Sequence, residues 1–385
     1  MVDRPMWWSE ELSILEDSLT RFFEAEYLPH EAEWEKARIV PRAFWEKAGE
    51  AGILGISLPE EYGGMGGSIH HDAVLFDVLG KLGITGFGIH VHLIAAHYVL
   101  AYGSDEQKAR WLPKLASGEL IGAIAMTEPG TGSDLKAVKT RAVRDGDDYR
   151  LSGSKIFISN GINANFLMTV TKTGGEGSKG VSLLCVETQG LDGFRRGRNL
   201  EKLGQKAQDT AELFFDEARV PVANLLGPDE GRGFYQLMEQ LPYERLMLAI
   251  GAIGFIDRAV DLARLYTRER TAFGKPIAEF QNTAFKLAEC ATEARIGRVF
   301  VEDCVAKYAA GRLDVPTVSM AKWWTTEKQC EIVDTCLQMF GGYGYMLEYP
   351  ITRLHADSRV QKIYGGTTKS RPRSATWPAN SPPGG

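Results

Sequence analysis

Apolar residues near the N-terminus recur with the period of an α-helix. They are spaced by three or four positions and comprise Leu12, Leu15, Leu19, Phe22 and Phe23. Such spacing places them on one face, so we expect an amphipathic helix over residues 10–27. Ser104 precedes Gln107 by three positions, the pattern of a capping box that opens another helix. We expect residues 1–120 to form an N-terminal all-helical domain.

The pattern then changes to short runs of β-branched and aromatic residues between glycine-rich turns. Asp145-Gly146 separates two of these runs and predicts a hairpin, because glycine tolerates a positive φ. The runs that we interpret as strands are residues 140–143, 149–151, 166–172, 181–186 and 212–215. They predict a compact β domain, a barrel or sandwich, over residues 121–227.

The helical period returns after the turn at residues 227–231. Three long segments are predicted helices, at residues 234–268, 280–310 and 316–340. Pro316 suits the first turn of the third. Long helices with short connections predict an antiparallel bundle over residues 228–368. The proline-rich residues 369–385 have no helical period, and we expect this atypical tail to be disordered.

Composition excludes several classes of protein. The 385-residue chain has a net charge of -6 and no basic block, which argues against a nucleic-acid partner. No apolar stretch approaches the roughly 18–20 residues that span a bilayer, so we expect no membrane insertion. The acidic, aromatic N-terminus resembles neither a signal nor a transit peptide, which favours a cytoplasmic protein. Five cysteines without a CxxC pair favour neither disulfides nor a zinc site.

Several segments could carry chemistry, but most have an ordinary explanation. The glycine-rich residues 61–68 and 340–345 match neither a Walker A nor a dinucleotide motif, and taken alone they suit turns. His90, His92 and His97 lack the spacing of a metal site, so core histidines are the favoured interpretation and no metal is expected. The loop at residues 125–135 offers backbone N–H groups and hydroxyls that could bind a polar heterocycle. An ordinary surface turn explains that loop equally well.

Two long segments resemble motifs of the acyl-CoA dehydrogenase family. AMTEPGTGSDL at residues 125–135 resembles the first motif, and QMFGGYGYMLEYPITRLHADSRVQKIYGGTT at residues 338–368 resembles the second. The family pattern covers nearly the whole chain in the same helix–β–helix order. Residues 193–215 and 363–368 are most similar to the long-chain subgroup. The resemblance implies an FAD-dependent enzyme that oxidises an acyl-CoA thioester to the trans-2-enoyl-CoA.

The resemblance also implies which residues bind FAD. Those that would line the flavin ring are Met126, Thr127, Gly132, Ser133, Phe157 and Ser159. Those that would hold the pyrophosphate and adenosine are Arg270, Phe273, Gln281, Gln338, Gly341, Gly342 and Thr367. In the family part of the second set usually comes from a neighbouring subunit, which implies a homodimer or homotetramer.

The catalytic base departs from the common family pattern. Most members place a glutamate directly before the Gly-Thr of the second motif, where this chain has Gly365. A subgroup that includes the long-chain and isovaleryl enzymes supplies the carboxylate from a C-terminal helix, and Glu244 matches that position. Removal of an α-proton from a thioester at neutral pH requires such a base, with a raised pKa in a dry pocket. The alternative is that Glu244 is a solvated helix residue.

The implied mechanism has two parts. Glu244 takes the α-proton while hydride leaves the β-carbon for flavin N5, and the backbone N–H of Gly365 stabilises the developing enolate oxygen. The residues that would lie near the thioester and the CoA arm are Ser133, Tyr243, Arg245, Tyr364 and Gly366. An electron-transferring flavoprotein is the implied acceptor.

Two other functions remain open, and the acyl chain is expected to be of medium to long length. An acyl-CoA oxidase would pass its electrons to O₂, and rapid reoxidation by air distinguishes it. The family pattern also continues after Thr368 with a further helix, whereas Lys369 begins the proline-rich tract. The chain could therefore be an FAD-poor, inactive member with an altered tail.

Overall fold

The computed structural model describes residues 4–367, in which helices enclose a central sheet. The helices are α1 Glu10–Glu26, α2 Glu31–Ala37, α3 Arg42–Glu50, α4 Ile69–Leu82, α5 Ile89–Tyr102, α6 Asp105–Ser117, α7 Gly233–Glu269, α8 Gln281–Ala309, α9 Val315–Met339 and α10 Pro350–Ser358. The strands are β1 Gly122–Ala125, β2 Arg141–Asp145, β3 Asp148–Ser159, β4 Phe166–Lys172, β5 Val181–Glu187, β6 Phe194–Asn199, β7 Thr210–Pro221, β8 Thr271–Ala272 and β9 Lys275–Pro276. The predicted helix–β–helix order is confirmed.

The first helices begin where the sequence predicts. The Ser9 hydroxyl accepts a hydrogen bond from the Leu12 N–H at 3.2 Å and caps α1, whose apolar stripe is buried. At α6 the predicted capping box is present. The Gln107 N–H donates to the Ser104 hydroxyl, and the Ser104 N–H donates to the Gln107 amide oxygen, both at 3.2 Å. Each cap pairs donors that the helix itself leaves free.

The central sheet is curled and mixed. Its strands lie in the order β1-β4-β2-β3-β7-β6, and β5 pairs with the other edge of β4. Asp145 pairs with Asp148 across a two-residue turn in which Gly146 has φ +64°, so the predicted hairpin is confirmed. Strand β6 was not predicted, because its sequence FRRGRN is rich in arginine and only partly buried. It has no apolar alternation from which a strand could be inferred.

Helices from both ends of the chain share one apolar core. Helix α7 packs against α4 of the N-terminal region and against α8 and α9 of the C-terminal region. The sheet encloses a second, smaller core of its own. Helix α7 is therefore the element through which the two helical regions meet. Pro242 lies inside it, two positions before the predicted base, and cannot donate the usual helical hydrogen bond.

Two of the segments that could have carried chemistry, the glycine-rich residues 61–68 and the histidine segment, contribute to the fold. A Cβ at Gly64 would lie 2.2 Å from the Leu58 carbonyl oxygen, so the glycine-rich turn needs this close backbone approach. His92 is fully buried, and its ring pairs with the Leu115 carbonyl and the Gly122 N–H. Among residues 4–367 no group of three His, Cys, Asp or Glu side chains could hold a metal ion. The predicted disordered tail, residues 369–385, lies outside the described residues.

Candidate active site

Glu244 is a buried carboxylate on α7. Its Oε1 accepts a hydrogen bond from the Tyr98 hydroxyl of α5 at 2.9 Å. Burial raises the pKa of Glu244 to about 7, although Tyr98 and Arg245 act in the opposite direction. Burial is the larger cause because a carboxylate loses more hydration energy than its neutral acid. The alternative of a solvated helix residue is wrong, since the side chain is buried.

The groups around Tyr243, the residue before Glu244, are also driven towards their neutral forms. Asp72 of α4 is buried, which raises its pKa to about 7 despite hydrogen bonds from Ser57 and Tyr243. The Tyr243 hydroxyl donates to Asp72 Oδ2 at 3.0 Å. Burial lowers the pKa of His97 to about 4, so this ring is uncharged at neutral pH. Both shifts indicate an interior of low polarity around Tyr243.

Arg245 connects α7 to α9. Its guanidinium donates to the Ser319 hydroxyl at 2.8 Å. Its Nε is buried without a hydrogen-bond partner among the described residues, and burial lowers the pKa of the group. A buried donor without a partner is costly, and a ligand that supplied an acceptor would remove that cost. This agrees with the prediction that Arg245 lies near the substrate.

The backbone from Tyr364 to Gly366 forms a tight loop beside α9. Gly365 has φ +58° and Gly366 has φ +94°, conformations that favour glycine. The Lys322 ammonium of α9 donates to the Tyr364 carbonyl at 2.8 Å and to the Gly366 carbonyl at 3.1 Å. Burial raises the pKa of Tyr364 to about 12. The carbonyls on either side of the predicted oxyanion donor are thus held by a buried lysine.

The predicted base and the predicted oxyanion donor approach the same part of α9. Ser319 and Lys322 are three positions apart, so they lie on one face of the helix. Ser319 contacts Arg245, the neighbour of Glu244, whereas Lys322 contacts the carbonyls on either side of Gly365. One turn of α9 therefore contacts both the residue that follows the predicted base and the loop that carries the predicted oxyanion donor.

The loop after β1 contains the first motif and is supported by a buried ion pair. Lys155 Nζ lies 2.8 Å from Glu128 Oε1 and also donates to the Met126 carbonyl at 3.1 Å. Burial lowers the pKa of Lys155 to about 8, although Glu128 opposes this. The backbone N–H of Ile156 donates to the Thr127 carbonyl at 2.9 Å. Met126 and Thr127 are thus fixed in place, while Gly132 and Ser133 are exposed.

Phe157 points outward from a distorted part of β3. The pairing of β3 with β7 shifts between Lys155 and Ile158, which marks a bulge. Such irregularities re-aim side chains. Phe157 itself has φ +61° and its side chain is 65% exposed. A positive φ is rare for an aromatic residue and indicates a functional constraint. Ser159 ends the same strand and is partly buried.

A separate concave surface brings together three of the predicted adenosine-side residues. A cavity of about 460 Å³ is lined by Arg270, Gly341 and Gly342, together with aromatic residues such as Tyr343. The Arg270 guanidinium lies 5.9 Å from the centre of the Tyr343 ring. A Cβ built at either glycine would meet no atom within 4 Å, so the backbone there is open to a ligand.

The remaining predicted adenosine-side residues lie outside this cavity. Phe273 occupies the turn between β8 and β9, with φ +51° and 97% exposure. Gln281 is the first residue of α8, Gln338 lies near the end of α9, and both are exposed. Thr367, the last described residue, is partly buried. Within one chain these side chains do not form a closed site.

Three supporting residues were missed by the sequence analysis. Tyr98 lies on α5, whose residues are apolar on most sides, so no pattern indicates which one faces Glu244. Lys155 lies in a strand whose bulge hides the alternation of buried and exposed positions. Lys322 did leave a signal. It occurs at helical spacing from Val318 and Thr325 on the buried stripe of α9, where a lysine is unusual.

The amino-acid sequence matches three family descriptions that together cover most of the chain. They are "Acyl-CoA dehydrogenase, N-terminal domain" at residues 9–119, "middle domain" at residues 123–218 and "C-terminal domain" at residues 231–372. The fold and these matches define a flavin-dependent oxidoreductase that acts on CH–CH groups. The chain belongs to the acyl-CoA dehydrogenase family.

Several known proteins resemble the whole chain. It is 45% identical to the mitochondrial long-chain specific acyl-CoA dehydrogenase of Sus scrofa over 94% of this chain and 85% of that protein. An acyl-CoA dehydrogenase from Geobacillus kaustophilus is 45% identical, with a TM-score of 0.94 over 97% of this chain and 98% of that one. A glutaryl-CoA dehydrogenase from Mycobacterium smegmatis, solved in complex with FADH2, is 27% identical. Its TM-score is 0.89 over 96% of this chain and 94% of that one.

The arrangement of exposed residues fits the FAD that the family uses. Phe157 presents an aromatic ring to which no described residue is stacked, and the neighbouring Gly132 leaves open space above the motif loop. Arg270 presents a guanidinium, which suits a pyrophosphate, beside the open backbone of Gly341 and Gly342. The predicted cofactor is confirmed at the level of the family. The role of each residue remains a prediction.

The part of the chain that the structure describes contains no helix long and apolar enough to cross a membrane.

Proposed function

We propose that this chain oxidises medium- to long-chain acyl-CoA thioesters to trans-2-enoyl-CoA with Glu244 as the base. The observation that carries the proposal is the state of that carboxylate. It is buried, its pKa is raised to about 7, and its hydrogen bond comes from Tyr98. A carboxylate of this kind is more basic than an exposed one, and a substantial fraction of it is still ionised at neutral pH.

Different groups of the chain are proposed to remove the proton and to stabilise the developing negative charge. Glu244 takes the α-proton of the thioester, and the Gly365 N–H donates a hydrogen bond to the oxygen on which negative charge develops. Burial of Glu244 keeps water away from the carboxylate, which strengthens its interaction with the substrate. The bound FAD supplies the acceptor for the hydride that leaves the β-carbon. Tyr243, Arg245, Tyr364 and Gly366 lie next to these two groups in the chain and are proposed to contact the substrate. Ser133, on the motif loop, is proposed to contact substrate and flavin.

We assign FAD binding to the two exposed surfaces. Met126, Thr127, Phe157 and Ser159 lie on the motif loop and the adjoining bulged strand, where they would face the flavin ring. Arg270, Gly341 and Gly342 line the cavity that suits a pyrophosphate and a nucleoside. The exposed side chains of Phe273 and Gln281, with Arg270, would serve the FAD site of a second copy, as the resemblance implies, and Gln338 would contact the adenosine.

Four finer assignments belong to the same proposal. The acyl chain is of medium to long length, since the sequence is most similar to the long-chain subgroup. An electron-transferring flavoprotein accepts the electrons. The chain forms a homodimer or homotetramer, because the adenosine-side residues are open in one chain. Its compartment is the cytoplasm. The proposed domain limits are residues 1–120, 121–227 and 228–368.

Anaerobic titration of the yellow, purified protein tests the activity. Saturated acyl-CoAs from butyryl- to palmitoyl-CoA are added while the flavin absorbance and the mass of the product are followed. We expect bleaching that is fastest with the medium- to long-chain substrates, together with a product that has lost two hydrogen atoms. Failure of every acyl-CoA to bleach a fully flavin-loaded protein would overturn the proposal.

A further inference from the structure

The lysine beside the Tyr364–Gly366 loop has a role that burial alone does not explain. Lys322 is fully buried on α9, and its ammonium donates to the carbonyls of Tyr364 and Gly366 at 2.8 and 3.1 Å. Transfer of an ammonium from water to a protein interior is expensive. An apolar side chain would fill the same stripe of α9 without that cost. Its hydrogen bonds to this loop offset part of that cost.

The loop needs such a support because its own residues are flexible. Gly365 and Gly366 have no side chains with which to pack, and both adopt positive φ. Glycine has more conformational freedom to lose than any other residue. At the start of the loop, the Tyr364 N–H donates to the Val360 carbonyl at 3.1 Å. Lys322 fixes the two carbonyls that follow on either side of Gly365.

The direction of one peptide group follows from this contact. The Tyr364 carbonyl and the Gly365 N–H belong to the same peptide unit, and none of the described peptide bonds is cis. In a planar trans peptide the carbonyl and the N–H point in opposite directions. Because the Tyr364 carbonyl points at Lys322, the Gly365 N–H points away from α9 and out of the loop.

We propose that Lys322 is a positioning residue, which orients the Gly365 N–H towards the thioester oxygen of the bound acyl-CoA. This inference rests on the proposed function. Lys322 itself contacts neither substrate nor cofactor in this account. It acts through the peptide group that it holds, from the same turn of α9 on which Ser319 holds Arg245 beside the base.

The test uses a 3-thiaacyl-CoA, in which sulfur replaces the β-carbon. Such a ligand can lose its α-proton but has no hydride to transfer, so the amount of enolate on the flavin-loaded enzyme reports on oxyanion stabilisation. It is measured by the long-wavelength absorbance of the complex as a function of pH. The variants are Lys322→Met, which removes the donors, and Lys322→Arg, which keeps a positively charged donor. Thr325→Val is the matched control, since Thr325 is also buried on α9 but donates to the Ala321 carbonyl at 2.7 Å.

We expect Lys322→Met to lower kcat by roughly 10²-fold, as for loss of one oxyanion donor, and to change KM by less than about threefold. The enolate fraction should fall by about 10- to 100-fold at fixed pH, with partial recovery in Lys322→Arg. Thr325→Val should lower the melting temperature only. If Lys322→Met does not accumulate with flavin, Lys322→Gln is measured in its place.

The inference would be overturned if Lys322→Met, or Lys322→Gln in its place, formed as much enolate as Thr325→Val. This holds whatever the change in melting temperature. Failure of the proposed function gives a different result. In that case the wild-type chain itself would not bleach with any acyl-CoA. A wild-type chain that reacts beside a Lys322→Met variant with an unchanged enolate fraction would contradict only the role of Lys322.

Discussion

The proposed substrate side and the proposed adenosine side of the molecule are built in opposite ways. On the substrate side Glu244 and Lys322 are buried and hydrogen-bonded within the chain. On the adenosine side Arg270 and Gly341 are exposed, and Phe273 is 97% exposed. In one region the carboxylate and the lysine already have hydrogen-bond partners within the chain, whereas the other presents open backbone and exposed side chains.

This difference indicates which groups must be ordered before the reaction and which can be ordered by binding of the cofactor. A base and an oxyanion donor must be in position before the reaction, because their reorganisation would add to the barrier. A cofactor site can be completed by the cofactor and by a second subunit, since binding energy is available to order it. Substitutions on the substrate side should therefore change turnover at constant flavin content. Those on the adenosine side should change flavin affinity first.

The largest effect is expected for Glu244→Gln. Loss of the base should lower kcat by roughly 10²- to 10⁴-fold while the flavin content stays at the wild-type level. Glu239→Gln is the matched control, because Glu239 lies on the same helix and accepts the Tyr102 hydroxyl at 2.9 Å, but at the surface. Its turnover should remain close to wild type. Steady-state kinetics gives the turnover of each variant, and absorbance gives its flavin content. Near-normal turnover in Glu244→Gln would refute the proposed difference between the substrate side and the adenosine side.

Arg270→Ala should have the next largest effect, and we expect it in the affinity for FAD. Loss of charge-assisted hydrogen bonds to the pyrophosphate should weaken FAD binding by roughly 10- to 100-fold. Affinity for the acyl-CoA should change much less. Arg268→Ala is a suitable control, since Arg268 is also exposed near the end of α7 but does not line the cavity. Titration of the apoprotein with FAD and of the holoprotein with CoA ligand separates the two affinities. Unchanged FAD binding with impaired substrate binding would mean that Arg270 serves the substrate.

Tyr98→Phe should have a smaller effect that depends on pH. The Tyr98 hydroxyl stabilises the ionised form of Glu244, so its removal should raise the carboxyl pKa further above its present value of about 7. Only the ionised form accepts a proton. The acid limb of the kcat profile should therefore move to higher pH, with a loss of roughly tenfold at pH 6 and recovery in alkali. Tyr102→Phe should leave the profile in place. A uniform loss at every pH would show that Tyr98 supports the fold instead.

Much of the fold was predictable because its local signals agree with its tertiary structure. Strand β4 is found at the predicted residues, and α1 and α7 agree with the prediction to within about two residues, the usual uncertainty of helix ends. The apolar period of the helices and the β-branched and aromatic run of the strand are sufficient to place these elements. Strand β6 was missed because an arginine-rich edge strand carries no such period.

The candidate site was only partly predictable. The resemblance to the family identified Glu244 as a candidate base. Because Gly365 has no carboxylate, Glu244 was the favoured candidate. The sequence does not show that Tyr98 would face Glu244, since that contact joins α5 to α7 across the interior. Nor does it show that Lys322 would reach the carbonyls beside Gly365. Both contacts depend on how helices pack, which helical period alone does not determine.

The central claim is that the buried Glu244 carboxylate takes the α-proton. The most direct test is hydrogen exchange at the α-carbon of a bound 3-thiaacyl-CoA in D₂O, because it requires neither hydride transfer nor an electron acceptor. The account predicts that the wild-type chain and Glu239→Gln exchange this hydrogen, in both cases with a rate that rises through about pH 7. Glu244→Gln should bind the ligand with similar affinity but exchange it at least roughly 10²-fold more slowly. Exchange at the wild-type rate in Glu244→Gln would contradict the account.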